Sequence, residues 1–343
     1  MIFINKISEL KKHRKLIDQL FINYGQTHFH HYFGIESSLI QNKSNDFYVI
    51  IDSKNLIVTS FKKISPNIWE CFFKGIPFLS PKNIDPHTIE IFLQKAKFGL
   101  SASTLYFPLI FRTSSASFES KDRDLFYIYE RLPDQIIKPP FLQKEIWKRV
   151  KKRYGSRAER QKTKFEKNLY IKTFTKINIM EKLVNVESNS WKRLYKQDMI
   201  SRDNQIEFYN HLVRTGLAEI TLAYNDKGRP IAFRIDVEIN KILYVLKWSY
   251  DNDYKKYSPG FYLLTVDLFK RHREAKFEYI DLYGSLDNLK ALIKTDELER
   301  VDIILSDCPK EAKQISEKKL AYDTKVRNNY KNRNGIQKLF KLG

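Results

Sequence analysis

Residues 244–290 read YVLKWSYDNDYKKYSPGFYLLTVDLFKRHREAKFEYIDLYGSLDNLK. The alternation over 244–250 predicts a strand, and a polar turn follows it. Ser258-Pro259-Gly260 then predicts a helix start, with Ser258 as N-cap and Pro259 in the first helical position, where its missing N–H costs nothing. Leu263, Leu264, Val266, Leu268 and Phe269 fall mostly on one face of that helix. Residues 277–283 predict a second strand ending in Asp281-Leu282-Tyr283-Gly284, and Lys290 falls on a short helix.

Outward from this stretch, the same reading gives strands at 218–224, 230–238, 242–250, 277–282 and 301–305, with the helix from Pro259 in the middle. The first half repeats the order: strands at 47–51, 56–61 and 69–73, a helix at 86–98, then strands at 105–111 and 125–129. Three strands, a helix and two strands therefore occur twice, without sequence identity between the halves. A chain of 343 residues, 42% hydrophobic and 14% aromatic, can bury two cores. The expected division is 1–137, 138–310 and a basic helical tail at 311–343, with the hinge in LPDQIIKPP, where Pro breaks the periodicity.

Charge is unevenly placed. The net charge is +21; residues 138–172 hold 13 Lys/Arg against 3 Asp/Glu, and residues 310–343 hold 10 against 3. The first block coincides with a basic helical stretch at 146–169, interrupted at Gly155-Ser156. Blocks of one sign suit an anionic partner or a solvated face. Cys71 and Cys308 form no metal or redox spacing. His28, His30 and His31 in GQTHFHHYFG have no carboxylate or cysteine at ligand spacing, so no metal is expected. Charges come too early for a signal peptide and no apolar run nears the roughly 20 residues of a membrane span, which predicts a cytoplasmic protein.

Tyr250-Asp251, Ser258-Pro259-Gly260, Asp281-x-x-Gly284 and Lys290, in that order, resemble the signature of the Fem-like and exopolysaccharide-associated (BcsL/CelD-like) branch of the GNAT acyltransferase superfamily. The resemblance covers 149–307. It departs at Ser285, where many members have a second Gly, and the turn at 255–260 lacks the Gly-rich pattern of the commoner acetyltransferases. It implies an α/β fold of two GNAT-like domains side by side, each a mixed sheet flanked by helices, the first degenerate. It implies an enzyme that moves an acyl group from an acyl-CoA or acyl-carrier-protein thioester to an amino group of a sugar, peptide or lipid precursor. Aminoacyl transfer from charged tRNA is the alternative within the family, and a nucleic-acid- or polysaccharide-associated binding protein without chemistry is the alternative outside it. The basic blocks suit coenzyme A, a carrier protein, tRNA or an anionic membrane surface.

Acyl transfer to an amine requires a polarised carbonyl, a deprotonated amine and a protonated leaving group. On the family pattern, Lys255, Lys256, Tyr257, Ser258, Gly260 and Lys290 are expected to hold the donor beside the splayed strands 242–250 and 277–282. Asp281, Tyr283 and Tyr250 are the expected proton-transfer groups, with Asp251, Asp236 and Glu238 nearby. Asp281 has a second reading, as the acceptor of backbone N–H groups that shapes its own turn. Trp191, Arg234, Asp236 and Trp248 are expected to line the acceptor groove.

Overall fold

The computed structural model describes residues 1–42, 46–118, 126–139, 143–190, 192–193, 196, 198–202, 204–271, 277–283 and 288–339. Among these the chain forms two compact units, one from residues 1–134 and 298–339 and the other from 135–283 and 288–297.

The first unit opens with β1 (Ile2–Ile4), α1 (Ile7–Lys12), α2 (Arg14–Tyr24) and α3 (Tyr32–Gln41). It continues with β2 (Phe47–Asp52), β3 (Ile57–Ser65), β4 (Ile68–Cys71), α4 (Pro86–Gly99), β5 (Thr104–Phe111) and β6 (Phe126–Glu130). Local chemistry sets the crossover helix α4: Pro86 takes its first turn, and the Asp85 side chain accepts the Thr88 N–H at 3.2 Å.

The second unit carries β7 (Asp134–Ile137), α5 (Gln143–Tyr154), α6 (Ser156–Asn168), β8 (Tyr170–Phe174), α7 (Met180–Glu187) and α8 (Gln205–Thr215). It then runs through β9 (Glu219–Tyr224), β10 (Pro230–Ile239), β11 (Ile242–Tyr250), α9 (Pro259–Tyr262), α10 (Leu268–Arg271), β12 (Tyr279–Asp281), α11 (Asn288–Ile293) and β13 (Asp296–Leu298). The break between α5 and α6 is Gly155, whose φ of +59° and ψ of −143° suit a residue without Cβ. The chain ends with β14 (Arg300–Ser306) and α12 (Pro309–Leu339).

Each unit is built on a seven-stranded mixed sheet, ordered β1-β2-β3-β4-β5-β14-β6 in the first and β13-β7-β12-β11-β10-β9-β8 in the second. Read from β1 and from β8, the two orders match: four strands, then a parallel neighbour reached through a helix, then two more. The parallel pairs are β4–β5, joined by α4, and β11–β12, joined by α9 and α10.

One expectation is corrected here. Residues 301–305 were expected to close the second half, yet β14 pairs antiparallel with β5 and β6 inside the first sheet. The matching sixth position of the second sheet is filled by β7, from the end of the first half. The two halves of the sequence therefore exchange one strand each. Burial explains why β14 fits an interior position, since all seven of its residues are buried. The first part of α12 is likewise no loose tail: Ala312 and Ile315 pack on Tyr106 and Ile304, and buried Asp323 pairs with Arg131 at 2.7 Å.

Candidate active site

The two parallel pairs differ in a way that separates the units. In the first, β4 and β5 pair at 68–70 with 104–106, and the gap beyond β4 is closed again where Gly75 donates to Leu109 O at 3.1 Å and Phe111 donates to Gly75 O at 2.8 Å. In the second, among the described residues, β11 and β12 pair only at Ile242–Tyr279, Leu243–Ile280 and Tyr244–Asp281; β12 ends at Asp281, while β11 runs on to Tyr250.

The register tells which groups this leaves at the open edge. Asp251 N–H donates to Ile231 O at 2.8 Å, so antiparallel alternation turns the N–H and C=O of Tyr250 and Trp248 away from β10. The Lys192 ammonium donates to the Trp248 carbonyl and lies 5.1 Å from the centre of its indole ring.

Above this edge sits Gly260. A Cβ on it would lie 2.6 Å from Trp248 Cζ3 and 3.2 Å from Tyr250 Cδ1, so glycine is required for α9 to approach the strand. Trp248, Tyr250 and Gly260 thus meet in one place. Burial raises the Tyr250 pKa, which keeps the phenol protonated and able to donate. Ser258 adopts a left-handed conformation (φ +51°) and makes no side-chain cap to α9, which corrects its expected N-cap role. Asp251 caps the preceding turn instead, accepting the Asp253 N–H at 3.0 Å. Buried Asp251 also binds Asn189 at 2.7 Å and Arg229 at 2.6 Å, so its carboxylate is committed to structure.

Lys255 and Lys256 are exposed on that turn. Tyr257 lies between two ammonium groups, Lys256 at 5.1 Å and Lys164 of α6 at 5.5 Å from its ring centre. The helix holding Lys164 is fixed by Phe165, whose ring stacks on Tyr262 at 3.9 Å. Positive charge from α6 and from the 252–257 turn is therefore gathered on one aromatic ring.

Asp281 is buried at the end of β12, and its Oδ1 accepts the Tyr283 N–H at 2.8 Å. This holds Tyr283 at φ +41°, and buried Lys290 donates to the Tyr283 carbonyl at 2.5 Å. Asp281, Tyr283 and Lys290 do come together, as a turn-forming set, which is the second reading of Asp281 given by its sequence position. Gly284, Ser285 and Trp191 lie outside the described residues.

Arg234 and Asp236 are not in a groove. Both are fully buried: Arg234 Nε donates to Asp236 at 2.8 Å, Nη1 donates to Asp267 at 3.0 Å, and Nη1 also donates to the Leu263 carbonyl. Leu263–Asp267 is a π-helical turn between α9 and α10, and such a turn frees carbonyls from the helix ladder. Arg234 takes up one of them, and the expectation of acceptor binding is corrected to a core ion network. Glu238 is exposed on β10.

Outside the second unit, His28 and His30 are buried in the first, and burial lowers their pKa values to about 3 and about 4. His31 instead caps α3, accepting the Phe33 N–H at 3.1 Å. Among the described residues, no helix is long and apolar enough to cross a membrane.

Sequence reading missed Lys192, Glu187, Ser190, Lys247 and Ser249, all on or against β11. Lys247 and Ser249 stood in the decisive stretch, but alternation reports only which face a residue occupies, and the partners of that face lie far off in sequence.

Residues 150–291 match the family model described as Acetyltransferase (GNAT) domain. No curated protein sequence matches the chain. Among solved structures, the C-terminal domain assigned to a lysylphosphatidylglycerol synthetase from Agrobacterium fabrum superposes with a TM-score of 0.61 at 12% identity, over 92% of this chain and 97% of that one. The structure of L-PGS from Bacillus licheniformis gives 0.56 at 12% over 88% and 95%, and FemX gives 0.57 at 10% over 92% and 99%. At such identities these likenesses speak for the fold. The second half of the chain matches a GNAT acetyltransferase domain, and the whole chain has the fold of two GNAT-like sheets.

Proposed function

We propose that the second unit is an N-acyltransferase of the Fem-like and exopolysaccharide-associated kind, transferring an acyl group from a coenzyme A or carrier-protein thioester to an amine. The observation that carries this reading is the open edge of β11 from Trp248 to Tyr250, beside a parallel neighbour that ends at Asp281, in the unit that matches the GNAT model. Backbone N–H groups on such an edge can bind an extended donor and polarise its carbonyl without any movement of the protein. The closed equivalent at Gly75–Ile110 supports a degenerate first unit.

In this reading the donor's anionic end lies toward Lys255, Lys256 and Tyr257, with Lys164 adding charge. Gly260 brings α9 onto Trp248 and Tyr250 and so shapes the wall beside the edge, and Lys290 with Ser258 bounds the donor's far side. Tyr250 and Tyr283 are the groups able to protonate the departing sulfur. Aminoacyl-tRNA as donor is the second reading, favoured by the basic helix α6 next to the same turn and the basic helix α5 that packs on it.

The test offers the purified protein acyl-CoA, acyl-carrier protein and aminoacyl-tRNA in turn, with a mixed set of amines, and follows products by mass spectrometry. Amide formation from a thioester is expected. With that donor, Lys255→Glu together with Lys256→Glu should raise KM about tenfold or more and leave kcat within about twofold. Turnover only with aminoacyl-tRNA selects the second reading, and salt-dependent RNA binding with no turnover removes the enzyme.

A further inference from the structure

The segment between α7 and α8 is tied to the carboxyl end of β11. Asn252 N–H donates to the Asn189 carbonyl at 2.9 Å, the Asn189 amide donates to Asp251 at 2.7 Å, and Ser190 bridges to Asp251. Arg193 N–H then donates to the Ser190 carbonyl at 3.1 Å, which turns the chain back along the strand. Partly buried Lys192 lies in that turn, with its ammonium on the Trp248 carbonyl and over the Trp248 indole. This carbonyl belongs to the open edge, and the N–H of Tyr250, two residues on, faces the same way. A held positive charge therefore stands beside the position in which the edge binds a donor carbonyl.

The two faces of the edge are not equivalent. Trp248 and Tyr250 turn toward Gly260, so their side chains and α9 cover one face. Alternation turns Lys247 to the other face, where it feels the charge of Glu187 at the end of α7. A donor lying along the edge in strand register has its carbonyl near the plane of the sheet, and a nucleophile approaches a carbonyl from outside that plane. With the α9 face covered, the amine approaches on the α7 side, where the segment after α7 lies. Residues 188–202 contain Lys192, Arg193, Lys196 and Arg202 against Asp198 alone. Arg193, Lys196 and Arg202 are exposed, whereas Asp198 is buried and accepts the Ser201 N–H at 2.8 Å and hydroxyl at 2.7 Å. The amine thus arrives past a cationic border whose acidic member is turned inward, on a different segment from the Lys255 and Lys256 turn assigned to the donor.

We propose that Lys192 determines acceptor specificity by binding an anionic group, a carboxylate or a phosphate, carried by the acceptor close to the amine that is acylated. This rests on the transferase reading. The Trp248 carbonyl and indole hold the ammonium in place before the acceptor arrives, and an ammonium has three N–H groups to share between that carbonyl and a substrate oxygen. An anionic oxygen is the stronger acceptor for such a donor. A neutral amine offers Lys192 nothing in exchange for the water it displaces, so it is a poor acceptor.

The test measures kcat and KM for matched acceptors, alanine against alaninamide and 2-aminoethyl phosphate against propylamine, with whichever donor supports turnover. Wild type, Lys192→Gln and Lys192→Met are compared, together with their donor KM and thermal midpoints. Wild type should prefer the anionic member of a pair by about tenfold or more in kcat/KM, and the pair that shows the preference tells carboxylate from phosphate. Lys192→Gln keeps an N–H for the Trp248 carbonyl and removes the charge. It should raise the KM of the anionic acceptor by about tenfold to a hundredfold, and leave the neutral acceptor, the donor KM and kcat within about threefold. Lys192→Met should behave alike, and Lys192→Gln decides the matter if the methionine variant does not fold; if neither folds, the wild-type preference decides alone. Equal use of both members by wild type, or equal slowing of both members by a folded variant, overturns the proposal while wild-type turnover leaves the transferase reading intact. Absence of turnover by wild type with every donor and amine overturns both.

Discussion

At the scale of the residue, the buried histidines show how a cluster that suggests metal chemistry serves packing. His30 Nδ1 accepts the Gln26 N–H at 3.3 Å, Nε2 donates to the Ile76 carbonyl at 3.0 Å, and its ring lies 5.4 Å from that of Phe73. Both folded pKa values, about 3 for His28 and about 4 for His30, lie below the ordinary 6.5 of the unfolded chain. The unfolded state therefore binds protons first. Stability is fully present above about pH 6.5 and is lost as pH falls toward 4; at pH 5 the loss is about 2 kcal/mol for each ring. Denaturant titrations at pH 7 and pH 5 should show this, and His28→Gln should remove about half of the difference. Asp281 teaches the same lesson: its place at the end of an apolar strand was legible, but only its contact with the Tyr283 N–H distinguishes a turn-former from a base.

At the scale of the element, Arg234 joins β10 to the π-helical turn between α9 and α10 through Asp236, Asp267 and the Leu263 carbonyl. Removing one member of a buried ion set strands the others. Arg234→Met should cost about 3–5 kcal/mol in chemical denaturation. If the arginine bound the acceptor instead, the variant would raise the acceptor KM at unchanged stability. Most elements were readable because each carries its own period: β10 and β11 alternate, and α4 announces itself with Asp85 and Pro86. The short edge strands β1, β8 and β13 were not, since three to five residues show too little of a period, and their strand state comes from the neighbour they pair with. The π turn has no local signature either, and the group that takes up its Leu263 carbonyl is an arginine on another strand.

At the scale of the whole molecule, two similar halves were legible as a repeated order of elements, but the exchange of β7 and β14 was not. An apolar run such as residues 301–305 satisfies any sheet, and only pairing decides which one receives it. Each unit's sheet nonetheless defines what can stand alone. A fragment of residues 1–134 lacks β14, leaving β5 and β6 without their common neighbour, and is expected to be insoluble. A fragment of residues 134–299 holds all seven strands of the second sheet and should be soluble with a cooperative thermal transition; failure of the second fragment to fold would show that the units depend on one another.

The position of β14 also sets a timetable for synthesis. The nascent chain completes β6 at Glu130 but does not deliver its sheet partner until Arg300. At about 5–20 residues per second the ribosome takes roughly 10–30 s to cross that interval. During it β5 presents an unpaired apolar edge, and the intervening residues can already form the second sheet. The half that is made first is therefore finished last, which makes the emerging N-terminal segment the natural client of a chaperone that shields strand edges.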